Sequence, residues 1–168
     1  MTDPAWYLVH TKPARETTAA EHLERQGFAA FLPRIRRQIR HAGRWRERVE
    51  AMFPRYLFVR LDTDVDNWAP INATIGVSRL VRFGNRPSVV PAGLIEDLRA
   101  RADGENIVAI ESAGEFQPGR RVRVVDGPFA GLEGIVQAKS ARDRVDLLLA
   151  IVGQGATTRL STHHLVPC

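Results

Sequence analysis

Met52-Phe-Pro-Arg-Tyr-Leu-Phe-Val-Arg-Leu61 is the stretch whose reading decides how this chain folds. From Arg55 onward its β-branched and aromatic content predicts a strand, and the alternation of a strand sorts its side chains onto two faces. Leu57, Val59 and Leu61 share one face, which is uniformly aliphatic and therefore predicted to lie on a core. Tyr56, Phe58 and Arg60 share the other. Two aromatics beside an arginine have the composition of an interface anchor, so that face is expected to be covered by something.

Outward from this strand, the flanking segments predict an α+β sandwich. Trp6 to Thr11 reads as a short strand closed by Lys12-Pro13, with proline suited to a first helical position. Ala14 to Gln26 reads as an amphipathic helix with Ala19, Ala20 and Leu23 inward, stopped by Gly27. Phe28 to Leu32 leads past Pro33 into Ile35 to Ile39. After a His41-Ala-Gly43 turn the chain returns through Trp45 to Met52, which predicts a β-hairpin. Beyond the central strand come helix caps between Asp62 and Asn67, a short helix from Trp68 to Ala73 ended by Gly76, a strand from Val77 to Phe83, and a helix from Pro91 to Ala102. Leu94, Ile95 and Leu98 fall on one side of that last helix. The order is βαβββαβα with mainly antiparallel connections.

Residues 103–115 have weak periodicity and several Gly, Asn, Glu and Ser residues, so the domain boundary is placed there, with a first domain over 1–102 and a second over 116–168. In the second domain short candidate strands at Val122 to Val125, Ile135 to Ala138, Val145 to Val152 and Thr157 to Ser161 are separated by turns at the spacing of a small β-barrel. Ser140 to Val152 also fits a helix. Ser140-Ala-Arg-Asp143 matches a capping box, and Val145, Leu148, Leu149 and Val152 recur at helical spacing. Strand and helix both stand there.

Composition narrows the function. The 168 residues carry a net charge of +5, and residues 34–48 hold seven arginines against one acid, a local +6, which leaves about −1 for everything else. One cationic finger on a near-neutral body suggests a polyanion nearby. The single cysteine, Cys168, excludes an internal disulfide, the first residues lack a signal pattern, and no apolar run approaches membrane length, so a cytoplasmic protein without membrane contact is expected. His163 and His164 have no accompanying Cys or carboxylate cluster and are not a metal pair. With no nucleophile, base and orienter set and no phosphate loop, neither an enzyme nor a cofactor is expected.

Phe116-Gln-Pro-Gly-Arg-Arg-Val-Arg-Val-Val-Asp-Gly-Pro-Phe-Ala-Gly-Leu-Glu-Gly-Ile-Val136 resembles the KOW motif of a five-stranded barrel. With Trp6-Tyr-Leu-Val9 and Phe53-Pro-Arg-Tyr-Leu-Phe58 before it, nearly all of residues 5–167 resembles the NusG family of transcription factors, an NGN domain followed by KOW. Ile71-Asn-Ala-Thr74, Val81-Arg-Phe-Gly84 and Val89-Val-Pro91 look more like its specialised RfaH branch.

The resemblance implies a monomeric elongation and antitermination factor. Its NGN domain would sit on the β′ clamp helices of RNA polymerase, keep the clamp closed and suppress pausing. Phe53, Tyr56, Phe58, Phe83 and Tyr7 fall where the family's clamp-binding surface falls. Asn67-Trp68-Ala69 stands in place of the motif that touches the β gate loop, with Trp68 able to replace that contact by packing. Lys12, Arg15, His22, Asn72 and Thr74 match a patch that touches the non-template DNA strand. Pro13, Thr18 and Ile75 replace basic residues of that patch, which implies either a different DNA element or a weaker reading of it.

The resemblance further implies a switch. In RfaH the second domain covers the polymerase-binding face as an all-α hairpin, held partly by a Glu and Arg pair that Glu50 and Arg144 match by position, and refolds to a barrel on release. Gly127, Gly131 and Gly134 disfavour helix by about 1 kcal/mol each relative to alanine, which favours the barrel. In barrel form the domain would bind ribosomal protein S10 and couple transcription to translation. The alternative reading is an RNA-binding regulator that grips structured RNA with the KOW domain and the arginine hairpin.

Overall fold

The computed structural model describes residues 3–109, 122–124, 135, 138, 140–153 and 165–167. At its centre lies β1 (Ala5–Thr11), paired antiparallel on one side with β5 (Tyr56–Leu61) and on the other with β6 (Val77–Leu80) and β9 (Val89–Val90). β2 (Ala29–Phe31) extends the sheet beyond β5, giving the order β2-β5-β1-β6. The register places Leu8 opposite Phe58, Val9 opposite Leu57 and Tyr7 opposite Val59, so both faces of the sheet are apolar.

Each face has its own cover. On one side Tyr7, Val9, Leu57, Val59 and Leu61 pack with Ala19 and Leu23 of helix α1 (Glu16–Arg25) and with Ile71 of a 3-10 helix (Ala69–Ala73). On the other, Leu8, Phe31, Phe53 and Phe58 pack with Leu94, Ile95 and Leu98 of helix α2 (Ala92–Arg101). A helix in the C-terminal segment, α3 (Ala141–Gly153), completes this second layer with Leu148, Ile151 and Val152.

The arginine-rich segment forms the expected hairpin, β3 (Arg34–His41) against β4 (Arg44–Ala51), in register from Arg34 with Ala51 to His41 with Arg44. Ala42 and Gly43 both have positive φ, 53° and 78°, as a two-residue turn matched to strand twist requires. Among the described residues the ribbon is a two-stranded sheet of its own. Its root is held by residues 106–108, which follow α2: the Arg34 N–H donates to the Asn106 carbonyl at 2.9 Å, and the Val108 N–H donates to the Arg34 carbonyl at 2.7 Å. From Arg40 to Val49 every residue is exposed.

Several expectations shift in detail. Helix α1 starts at Glu16, after Ala14 with φ 58°, so Pro13 precedes the helix instead of opening it. The expected short helix is a 3-10 turn. The strand expected from Val77 to Phe83 is interrupted at Val81, whose N–H donates to the Leu8 carbonyl, and β7 (Arg82–Phe83) then pairs with β8 (Arg86–Pro87) as a separate small hairpin. Of the stretch where strand and helix both stood, Ala141–Gly153 is helical. Ser140 Oγ accepts the Asp143 N–H at 3.1 Å, the capping contact foreseen for the helical alternative. Most of the KOW-like stretch 116–136 lies outside the described residues; Val122–Val124 (β10) pairs antiparallel with Leu165–Pro167 (β11). The other candidate strands of a barrel, apart from Ile135 and Ala138, and the pair His163 and His164 also lie outside the described residues.

Gly76 is a point where the fold depends on one hydrogen atom. Its φ is +87°, its carbonyl accepts the Lys12 N–H at 2.8 Å, and a Cβ there would stand 3.0 Å from the Ala19 backbone nitrogen. Gly76→Ala is expected to cost at least the 1–2 kcal/mol typical of a left-handed L-residue, about that again if α1 must shift, read as a lower urea midpoint at unchanged slope.

Candidate functional site

Phe53 and Phe58 are fully buried, with ring centroids 6.0 Å apart and nearly perpendicular, and Phe31 stacks on Phe58 at 6.1 Å. Of these, Phe58 is the one that alternation in β5 places away from the α1 core, and all three lie in the cluster that α2 and α3 cover. Tyr56 is half-buried against the same cluster, and Phe83 stays 40% exposed at the rim, where its ring lies 3.6 Å from the position a Cβ on Gly153 would take. The face is therefore closed by α2 and by α3, which lies about 40 residues further along the chain.

Tyr7 and Trp68 do not join this face. Tyr7 points into the opposite layer because it stands across from Val59, one residue out of phase with Leu8 and Phe58. Trp68 packs half-buried on that same layer, and the Arg82 guanidinium sits 5.1 Å above its ring. Neither lies with Phe53, Tyr56, Phe58 and Phe83.

Arg144 is the polar centre of the α3 contact. It is almost fully buried, and its Nε donates to the Met52 carbonyl at 2.8 Å, while Nη2 has no protein partner. Burial pulls its pKa below the usual arginine value, and the nearby Glu50 carboxylate opposes that pull. The Glu50 carboxylate itself accepts from Arg37 at 3.1 Å. The two residues expected to pair are thus neighbours, but each has a different direct partner. A buried guanidinium with one satisfied N–H and one bare nitrogen costs free energy that a fully paired one does not.

The residues matched to a DNA patch are spread along α1, Lys12 and Arg15 before its start, His22 in its last turn and Thr74 at its C-terminal cap. Lys12, Arg15 and Asn72 are exposed, and Asn72 Oδ1 accepts the Leu80 N–H at 2.7 Å. His22 is half-buried, and its carbonyl accepts from Gln26 Nε2. Thr74 is buried: its hydroxyl accepts from Gln26 Nε2 at 2.8 Å and donates to the Pro70 carbonyl at 2.9 Å, which gives this side chain a local structural job. Sequence reasoning missed Arg79 and His10. The β1–β6 register sets them across from each other, and the His10 ring lies 4.9 Å from that of Tyr56. Only the register reveals that neighbourhood. Among the described residues no group of three or more His, Cys, Asp or Glu could hold a metal, and no helix is long and apolar enough to cross a membrane.

His10 gives the site a pH dependence. Burial first, then Arg55 and Arg79, hold its pKa below 6.5, and its Nδ1 is buried without a partner. Below pH 6.5 the unfolded chain takes up a proton that the folded chain resists, so stability falls as acid is added. Asp103 is also shifted down, by the Ile107 and Glu105 N–H groups, and its contribution is lost only in stronger acid. Between about pH 7.5 and 5.5 the urea midpoint is expected to drop, and His10→Gln is expected to flatten that drop.

The family profile described as transcription termination factor nusG matches residues 4–99, the span from β1 into α2. The transcription termination/antitermination protein NusG of Thermus thermophilus is 26% identical over 181 residues, covering 96% of this chain and 97% of that protein. The protein of the same name from Streptomyces galbus is 29% identical, covering 93% of this chain and 57% of the relative. A solved structure described as domain interaction in Thermotoga maritima NusG aligns with a TM-score of 0.44 at 18% identity, covering 76% of this chain and 75% of that one. Since the profile spans more than half of its length, this chain belongs to the NusG family of transcription termination and antitermination factors.

Proposed function

We propose that this chain is an elongation and antitermination factor of the RfaH type. It binds the β′ clamp helices of RNA polymerase through Phe53, Tyr56, Phe58 and Phe83, and the non-template strand through Lys12, Arg15, Asn72 and, at the margin, His22. Clamp binding suppresses pausing. One observation carries the reading: the aromatic layer is completed from beyond the connector, by Leu148, Ile151 and Val152 of α3. A cover supplied by a separate segment can leave while the sheet keeps its own helices.

Magnitudes favour a removable cover. Burying each of those three side chains is worth roughly 1.5–3 kcal/mol. Fixing the 13 residues of α3 costs about 1–2 kcal/mol of conformational entropy per residue before the helix's own hydrogen bonds are credited. Arg144 adds a cost of its own through its bare Nη2. Docking is therefore shallow, and a polymerase surface that matches the same aromatics competes with it. Tyr7 and Trp68 serve this reading from the opposite layer, Tyr7 as support for the sheet and Trp68, with Arg82, as the contact toward the β gate loop. Thr74 supports the DNA patch through Gln26 and Pro70. Once released, the C-terminal segment takes the KOW barrel form and binds ribosomal protein S10.

The test is binding to core polymerase on a scaffold with a defined exposed non-template strand. Leu148→Asp, which places a charge in the α3 contact, is expected to tighten polymerase binding, and adding Tyr56→Ala to it is expected to abolish the gain. Lys12→Gln with Arg15→Gln is expected to weaken binding to the scaffold complex and leave affinity for polymerase alone unchanged. Unaltered polymerase binding in both Leu148→Asp and Tyr56→Ala would overturn the reading.

A further inference from the structure

The β3–β4 ribbon plays no part in the polymerase reading, yet it concentrates the chain's positive charge. Its register and alternation place Arg37, Arg44, Arg46 and Arg48 on one face, with Ile39 and His41, and Arg34, Arg36, Arg40 and Trp45 on the other. Arg37 stands directly across from Arg48, a like-charge pairing that destabilises a hairpin on its own. Two acids offset part of the charge: Glu47 pairs with Arg36 at 3.3 Å and Glu50 with Arg37 at 3.1 Å. Among the described residues, Arg44, Arg46 and Arg48 have no acid within ion-pair distance. They recur at every second residue of β4, about 6.8 Å apart, a repeat that projects onto two base-pair steps of about 3.4 Å along the axis of a nucleic-acid helix.

The geometry points to this ribbon as a site for the phosphate backbone of double-stranded DNA, entered through the major groove. Both faces are exposed from Arg40 to Val49, and because Arg34 and Arg36 are held by the Glu105 carbonyl, Glu47 and Asp103, the second face offers Arg40 there, which a single strand lying along the first face would leave unused. A groove with a phosphate wall on each side uses both. The major groove of B-form DNA, about 12 Å wide, admits a two-stranded ribbon, whereas the A-form groove of double-stranded RNA is too narrow. Trp45, 68% exposed beside the turn with the Arg40 guanidinium 6.0 Å from its ring, supplies an apolar contact for the groove floor. Phosphate contacts of this kind position a protein without selecting a sequence. The site needs neither polymerase nor movement of α3, so its failure and the failure of the polymerase reading are separate events.

Binding of the full chain to a labelled duplex of about 20 base pairs and arbitrary sequence, followed by anisotropy across salt, tests it. The triple variant R44Q/R46Q/R48Q removes three phosphate contacts and is expected to lower the salt slope by about 2.7. Between about 50 and 200 mM salt the unaltered chain then loses about 40-fold more affinity than the variant. R25Q/R86Q/R142Q removes the same charge from exposed positions elsewhere and is expected to keep the original slope. An unchanged slope in the first variant, an equal fall in the second, or tighter binding to single-stranded DNA or to an RNA duplex of the same length would each overturn the proposal.

Discussion

A sheet that is apolar on both faces cannot stand with one cover, and the strand β5 imposes that condition on this molecule. Leu57, Val59 and Leu61 find α1 and the 3-10 turn on one side. Phe58, between them in sequence and opposite in direction, needs a second layer, which α2 supplies in part and α3 completes. The covalent order of the chain follows from this need only loosely: α2 arrives immediately after the sheet, whereas α3 comes from past the connector.

Much of this was legible from the residues alone. Period-two alternation in β5 separates the two faces, glycine and proline punctuation marks α1 and α2, and the Ala42-Gly43 turn sits where the arginine hairpin reverses. Tyr7 misled because a strand's facing depends on the register of its neighbour, and register is a long-range property: one residue of phase puts Tyr7 with Val59 instead of with Phe58. Thr74 misled for a different reason. A threonine near an exposed patch gives no sign that its hydroxyl is occupied by Gln26 and Pro70, partners 48 and four residues away. The segment at α3 was undecidable because its apolar spacing serves either geometry, and what favours the helix is the aromatic layer it lands on.

The family match covers the sheet, α1 and most of α2, ending at residue 99. The ribbon lies inside that span and still carries a local charge that the rest of the chain does not share. The connector ties the two features physically. Arg34 Nη2 donates to the Glu105 carbonyl at 2.6 Å, and the Arg36 guanidinium lies 3.7 Å from Asp103. Residues 103–108 are thereby fastened to the root of the chain's most cationic element.

Arg99 distinguishes the two helices that share one layer. Its guanidinium lies 4.8 Å from the Trp6 ring and 5.3 Å from the Phe31 ring, clipping α2 to the sheet through two aromatics at once. The corresponding polar contact of α3 is an arginine with an idle nitrogen. Native-state fluctuations should therefore come in ranks, the outer lid lifting at low free energy while its neighbour stays seated until the whole sheet melts. On the proposed reading, such ranking would let the outer cover leave the aromatic layer while α2 keeps its clip to the sheet.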